Sequence, residues 1–184
     1  MAKRFAILLC ALLSIAAITP AAAQDFGITA EKFRDALSER LKKDGRDPIA
    51  SCGRGNSEIV CRFRGNPNAG AGGLLRRIDH SEHMTLELAG GKLVQITLNG
   101  QRNTPAAEKH FIGIVTSAIG ALSPGSDAAK ITAIVDSLGL TRDDNSPNIG
   151  ESLSHSEPQW SIECLSQYSQ VATDLACTIA PQGP

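Results

Sequence analysis

The stretch WSIEC at Trp160–Cys164 alternates between apolar and polar residues, and the stretch LACTI at Leu175–Ile179 does the same. Strict alternation is typical of a β-strand with one buried face. If the two strands are antiparallel and Cys164 lies opposite Cys177, their apolar faces coincide. A shift by one residue would turn one apolar set to solvent. The pattern therefore predicts a hairpin closed by a Cys164–Cys177 disulfide.

A second pair of cysteines, Cys52 and Cys61, fits the same construction. Setting Cys52 opposite Cys61 brings Ala50 opposite Phe63, around a turn rich in glycine. Directly opposed residues of antiparallel strands lie close enough for a disulfide. Of the five cysteines, Cys10 lies in the predicted signal peptide; the other four allow three connectivities, and strand register favours the two pairings within hairpins. A redox pair or a zinc site is the alternative, but the chain has no Cys-x-x-Cys motif.

The first 23 residues have the three parts of a secretory signal peptide. Lys3 and Arg4 give a positive start, Phe5–Ile18 is an apolar run of 14 residues, and small residues precede the cleavage expected before Gln24. A membrane anchor is the alternative, but spanning a bilayer takes about 20 apolar residues. The sequence thus predicts a bacterial protein that is periplasmic or fully secreted, in a compartment where thiols pair.

Removal of 23 residues from 184 leaves 161, a suitable length for one globular domain over residues 24–184. No later apolar run is long enough to cross a membrane. The chain has 18 basic and 19 acidic residues, and loss of Lys3 and Arg4 leaves 16 against 19, a formal net charge of −3. This charge and the low aromatic content, 4% of the chain, argue against nucleic acid as a partner.

Helical periodicity predicts three helices. Their bounds, from N-cap to the residue that ends them, are Thr29 to Gly45, Thr104 to about Leu122, and Ser126 to Gly139. In the second helix Gly113 and Gly120 lie seven residues apart on one side, which predicts close helix packing there. Residues 141–158 are polar and contain prolines, so we expect a long loop.

A further hairpin is expected between residues 84 and 98, where apolar residues again alternate. A two-residue turn at Gly90–Gly91 would pair Leu86 with Gln95 and mismatch the apolar faces. A three-residue loop at Ala89–Gly91 pairs Leu86 with Val94 and restores the match. It also places a glycine where such loops require the left-handed conformation, so we predict this loop.

The element order is helix, hairpin, hairpin, helix, helix, hairpin. The predicted fold is α+β, with an antiparallel sheet of five to seven strands, three helices packed mainly on one face, and two disulfide-pinned hairpins. In element order and cysteine hairpins the chain resembles small secreted inhibitor domains of the beta-lactamase inhibitor type, with which it shares no residue motif.

Charge is distributed unevenly. From residue 143 to the C-terminus there are six acids and no Lys or Arg. Arg62 and Arg64 would share the outer face of one strand, and Arg76 and Arg77 follow nearby. Arginine suits recognition of carboxylates or phosphates, so these four residues are candidates for partner binding. A solvated outer face is the plainer interpretation.

The segment DHSEH at Asp79–His83 is the one local cluster of metal-capable side chains. His80 and His83 could bind zinc or copper, but on a strand they would point to opposite faces, so a polar turn is the plainer interpretation. His155 and Glu157 are expected to be exposed in the long loop. The chain has no Gly-x-Ser-x-Gly elbow and no Ser-x-x-Lys motif, and nothing in it identifies a catalytic or cofactor site.

Three functional hypotheses remain. The first is an exported non-enzymatic binding or inhibitor-type module that contacts a protein partner through its sheet. The second is a small exported hydrolase whose site is assembled from scattered Asp, Glu and His, and the third is a zinc or copper handler using His80 and His83. A deep pocket with converging His and carboxylates would favour the hydrolase, whereas an open sheet face lined by arginines would favour the binding module.

Overall fold

The computed structural model describes residues 24–63, 82–102, 104–141, 148–168 and 173–183, with only the backbone of Tyr168 and Thr173. Its helices are α1 (Ala30–Lys43), α2 (Pro105–Leu122) and α3 (Ala128–Ser137). Its strands are β1 (Ile49–Arg54), β2 (Glu58–Phe63), β3 (His83–Ala89), β4 (Lys92–Gln101), β5 (Ser152–Ser156), β6 (Trp160–Tyr168) and β7 (Thr173–Pro181). They form one antiparallel sheet in the order β1-β2-β3-β4-β7-β6-β5. The predicted α+β class is confirmed.

The core lies between the helices and one face of the sheet. Alternate strand residues are buried there, as Met84 and Leu86 in β3 illustrate. The buried stripe of α1 is the predicted one, Phe33, Leu37 and Leu41. Full burial of each such side chain stabilises the fold by roughly 1.5–3 kcal/mol. Within the described ranges, no helix is both long and apolar enough to cross a membrane.

Side-chain caps fix where the helices begin. The Thr29 hydroxyl accepts a hydrogen bond from the backbone N–H of Lys32 at 3.2 Å, which confirms the predicted start of α1. The predicted cap of α3 is wrong by one residue, because Asp127 rather than Ser126 is the N-cap. The Asp127 carboxylate accepts the N–H of Lys130 at 2.7 Å. A carboxylate at this position also interacts favourably with the positive end of the helix dipole.

Both predicted disulfides are present. The Cα–Cα distance is 4.0 Å between Cys52 and Cys61 and 4.1 Å between Cys164 and Cys177. The two cysteines of each bridge lie directly opposite one another in antiparallel strands, as the register argument requires.

Two β-bulges correct the predicted registers. Ile49, and not Ala50, lies opposite Phe63, because the register of β1 shifts between Ile49 and Ser51. The bulge allows Ile49 to pack against the core while the cysteines stay opposed.

The predicted three-residue loop between β3 and β4 is also wrong. Leu86 lies opposite Ile96, not Val94, and the turn consists of Gly90–Gly91, whose φ angles of 58° and 82° suit glycine. Val94 is the extra residue of a bulge, which restores the match between the apolar faces.

The predicted long loop at residues 141–158 is wrong as well, because it contains edge strand β5. The sequence of β5 is SLSHS, in which Leu153 and His155 alternate with serines. Serine is not among the residues that favour strands, so the sequence alone gives a weak signal. Pairing with β6, from Ser152 opposite Leu165 to Ser156 opposite Ser161, defines the strand.

The two glycines of α2 permit close approach, as predicted, but to arginine side chains. A methyl group at Gly113 would lie 1.8 Å from Cζ of Arg46, and one at Gly120 would lie 3.1 Å from Cζ of Arg40. Both arginines belong to α1 or the residues directly after it. The glycines therefore let two guanidinium groups pack between α1 and α2.

Candidate functional site

One face of the sheet carries none of the described helices. Two rows of directly opposed residues cross this face over all seven strands. In order from β1 to β5, the first row is Ser51, Arg62, His83, Asn99, Ala176, Leu165 and Ser152, and the second is Gly53, Val60, Thr85, Thr97, Thr178, Glu163 and Ser154. We call these two rows the open face.

Three threonines lie at the centre of the open face, and its two charged residues lie on the strands next to the edge strands. Thr85, Thr97 and Thr178 lie side by side across β3, β4 and β7 and are half-buried. Arg62 is exposed on β2, and Glu163 is exposed on β6. Glu58 and Glu87 form the adjoining opposed pair on β2 and β3, and alternation places them on the same face, so Arg62, the one cation of the two rows, lies on a face that carries acids at both β2–β3 and β6.

The structure describes only one of the four candidate arginines. Arg62 lies on the open face directly opposite His83, and Nε2 of His83 lies 3.2 Å from the amide nitrogen of Asn99. Because an amide nitrogen can only donate, Nε2 accepts in this arrangement. Arg64, Arg76 and Arg77, like His80, lie outside the described residues, so the four-arginine patch stays a prediction.

A buried carboxylate faces the opposite side. Glu82 directly precedes β3, its side chain is 2% exposed, and its Oε2 lies 2.5 Å from Nδ1 of His110 in α2. The other oxygen, Oε1, is buried with no hydrogen-bond partner among the described residues. The structure therefore separates Glu82 from His83, which lies on the open face. Sequence reasoning missed the Glu82–His110 pair, although Glu82 stands in register with buried Met84 and Leu86.

A carboxylate on Nδ1 orients an imidazole so that Nε2 can act as a base or a metal ligand. Among the described residues, no hydroxyl or thiol group forms a hydrogen bond with the His110 ring. The same part of the chain holds no group of three or more His, Cys, Asp or Glu placed to bind a metal ion. Two open depressions of about 290 Å³ each lie on the helix side, and neither is lined by Glu82 or His110.

A second polar network joins β5 to α3. Glu157 Oε2 accepts a hydrogen bond from Nζ of Lys130 at 2.7 Å, and its Oε1 lies 3.3 Å from Nε2 of His155. Lys130 foremost, and then His155, lower the pKa of Glu157. Nδ1 of His155 lies 3.1 Å from Ser137 Oγ, which donates to the carbonyl of Ile134 at 2.6 Å.

The contacts among Ser137, His155 and Glu157 connect helix α3 to strand β5 and the residue that follows it. The Ser137 hydroxyl proton is engaged by a helix carbonyl, so His155 is not placed to remove it. The expected exposure of His155 and Glu157 is wrong, because both side chains are partly buried and bonded; His155 lies in strand β5, and Glu157 directly follows it.

No protein-family model, curated protein or solved structure matches this chain significantly. The resemblance to secreted inhibitor domains in element order therefore gains no support from these comparisons.

Proposed function

We propose that this protein is an exported, non-enzymatic binding module of inhibitor type that contacts a protein partner through the open face. The observation that carries the proposal is the pair of rows that crosses all seven strands without a described helix upon them. Such a surface is broad and continuous, whereas sites for small molecules are concave and mostly apolar.

The charges of the open face indicate the chemistry of the partner. Arg62 supplies a planar group that pairs well with carboxylates, so the partner should present an acidic residue there. Glu163 lies four strands away, where the partner should present a basic or neutral group. Opposite charges placed in this way fix the orientation of the complex and accelerate its formation.

The hydrolase hypothesis has less support. Glu82 and His110 form a base with its orienting carboxylate, but no hydrogen bond within the described ranges joins the pair to a nucleophile, and neither of the two described depressions is lined by them. The two disulfides are consistent with export. Cleavage before Gln24 stays a prediction, since residues 1–23 lie outside the described part.

Site-specific cross-linking tests the proposal. A photoreactive benzophenone amino acid in place of Thr85, on the open face, should cross-link the protein to its partner in the periplasm of its native host. The same group in place of Thr132, an exposed residue of α3, is the control and should not. Cross-linking at Thr132 alone would place the interface on the helices and refute the proposal.

Once mass spectrometry identifies the partner, Arg62→Ala should weaken binding about tenfold and remove most of its salt dependence. Arg54→Ala is the matched control, because Arg54 is also exposed but lies opposite Ile59, outside the two rows of the open face. If Arg62→Ala folds and binds with unchanged salt dependence, Arg62 does not contact the partner.

A further inference from the structure

The two edge strands of the sheet differ in how they are protected against pairing with another chain. The register of β1 is broken at Ala50, the strand contains Gly53, and it ends in the charged residue Arg54. β5 is short but pairs with β6 in continuous register, and it contains no Lys, Arg, Pro or Gly. Edge strands are usually blunted by charges, prolines or bulges, because their open backbone groups can pair with other chains. β5 has none of these three devices.

The hydrogen bonds show which backbone groups of β5 are open. The N–H of Glu157 donates to the carbonyl of Trp160 at 2.8 Å, and the N–H of Ser166 donates to the carbonyl of Glu151 at 3.4 Å. In an antiparallel pair every second residue bonds to its neighbour, so the odd-numbered residues of β5 bond to β6. The residues whose N–H and C=O point away from β6 are Ser152, Ser154 and Ser156.

A large exposed apolar residue lies three residues before Ser152, the first residue of β5. Ile149, just before β5, is 60% exposed, and it is the one large hydrophobic residue so exposed in the described part of the chain. It is held there by a bridge to Ser166 of β6. An exposed apolar residue is unremarkable alone, but here it adjoins backbone groups that can bind a strand.

The charge around β5 discriminates between occupants. The described segments 148–168 and 173–183 contain acids and no Lys or Arg, and Lys130 of α3 pairs with one of these acids, Glu157. A second copy paired antiparallel about Ser154 would set Glu151 opposite Glu157 of the other copy, twice. Like charges directly opposite one another destabilise a strand pair. The occupant that fits is therefore a basic segment of a different protein.

We propose that β5 accepts an extended, basic segment of a partner protein as an additional strand at this edge of the seven-stranded sheet. The main chain of that segment bonds to the three serines, and its Lys or Arg side chains lie near Glu151, which precedes β5, and Glu163 of β6. A large apolar residue at one end of the segment contacts Ile149. In strand addition the main chain supplies affinity and alternate side chains supply specificity. This edge adjoins the open face, whose rows end at Ser152 and Ser154, and it uses backbone groups rather than side chains.

The probes are capped octapeptides that alternate lysine with valine and carry leucine at the first or the last position. Titration at physiological salt, followed by NMR, should slow amide exchange at Ser152, Ser154 and Ser156.

Ser154→Pro should weaken binding at least tenfold, because proline removes an outward N–H without breaking the ladder to β6. Ser154→Ala keeps that N–H and is the matched control. Ile149→Ala should weaken binding severalfold, and Ile149→Leu should not.

The peptides provide a control that does not depend on the folding of any variant. Methylation of alternate backbone nitrogens of the peptide leaves its lysine charges unchanged. It removes the N–H groups that donate hydrogen bonds to β5, so it should abolish binding. Equal binding of the methylated peptide, or no binding of any peptide at millimolar concentration, overturns the proposal. Concentration-dependent dimerisation that Ser154→Pro abolishes also overturns it, because the occupant would then be a second copy.

Discussion

The hairpins β1–β2 and β6–β7 are each pinned by a cross-strand disulfide, but their surroundings differ. β1 is an edge strand whose residues are exposed from Ala50 to Arg54, so Cys52 is exposed while Cys61 is buried. β6–β7 lies between β4 and β5, and Cys164 and Cys177 are both fully buried. The same local device therefore secures an edge in one place and the interior of the sheet in the other.

This difference should separate the two disulfides in stability. The bridges span 9 and 13 residues, so chain entropy predicts a similar contribution from each, about 3 kcal/mol. Replacing Cys164 and Cys177 with alanine should cost about 4–5 kcal/mol, because it also removes buried sulfur atoms from the core. Replacing Cys52 and Cys61 should cost about 3 kcal/mol or less. Urea unfolding of the two double variants measures both losses, and equal losses would contradict the role given to burial.

The chemistry of the two bridges should differ as well. Thiol–disulfide exchange requires access to a sulfur atom, and only the first bridge has an exposed cysteine. Mild reduction of the folded protein should open Cys52–Cys61 at least tenfold faster than Cys164–Cys177. Alkylation of the freed thiols, followed by peptide mapping, gives both rates. Loss of the two bridges at one rate would mean that reduction requires global unfolding.

The hairpins also show what local sequence can predict. The cysteine registers follow from alternation over five residues on either side of a turn, and the start of α1 follows from Thr29 as its cap. The bulges at Ala50 and Val94 depend on which side chains pack into the core, so the local sequence pattern does not predict their positions. Strand β5 exists because β6 pairs with it, and its serine-rich sequence favours a loop.

The candidate site divides in the same way. Alternation placed Arg62 on the outer face of a strand, and the structure confirms that position. The open face as a whole depends on strand order, which brings β7 beside β4 and joins rows from opposite ends of the chain. The Glu82–His110 pair joins residues 28 positions apart, so only the packing of α2 against the sheet reveals it. Its one sequence signal is an acid in the buried register of β3.

The smallest expected effect concerns acid. Lys130, and then His155, lower the pKa of Glu157, so the folded state holds this carboxylate charged more strongly than the unfolded chain does. The resulting stability is present above the unfolded pKa, about 4.3, and is lost as pH falls through the lower folded value. Glu157→Gln should therefore reduce the loss of unfolding free energy between pH 5 and pH 3, by an amount on the order of 1 kcal/mol or less. Glu31→Gln, at the exposed Arg54–Glu31 pair of the β1 edge, is the control and should change this loss less. Urea unfolding at the two pH values measures the difference, and a larger effect of Glu31→Gln would show that the acid-sensitive contact lies at the β1 edge.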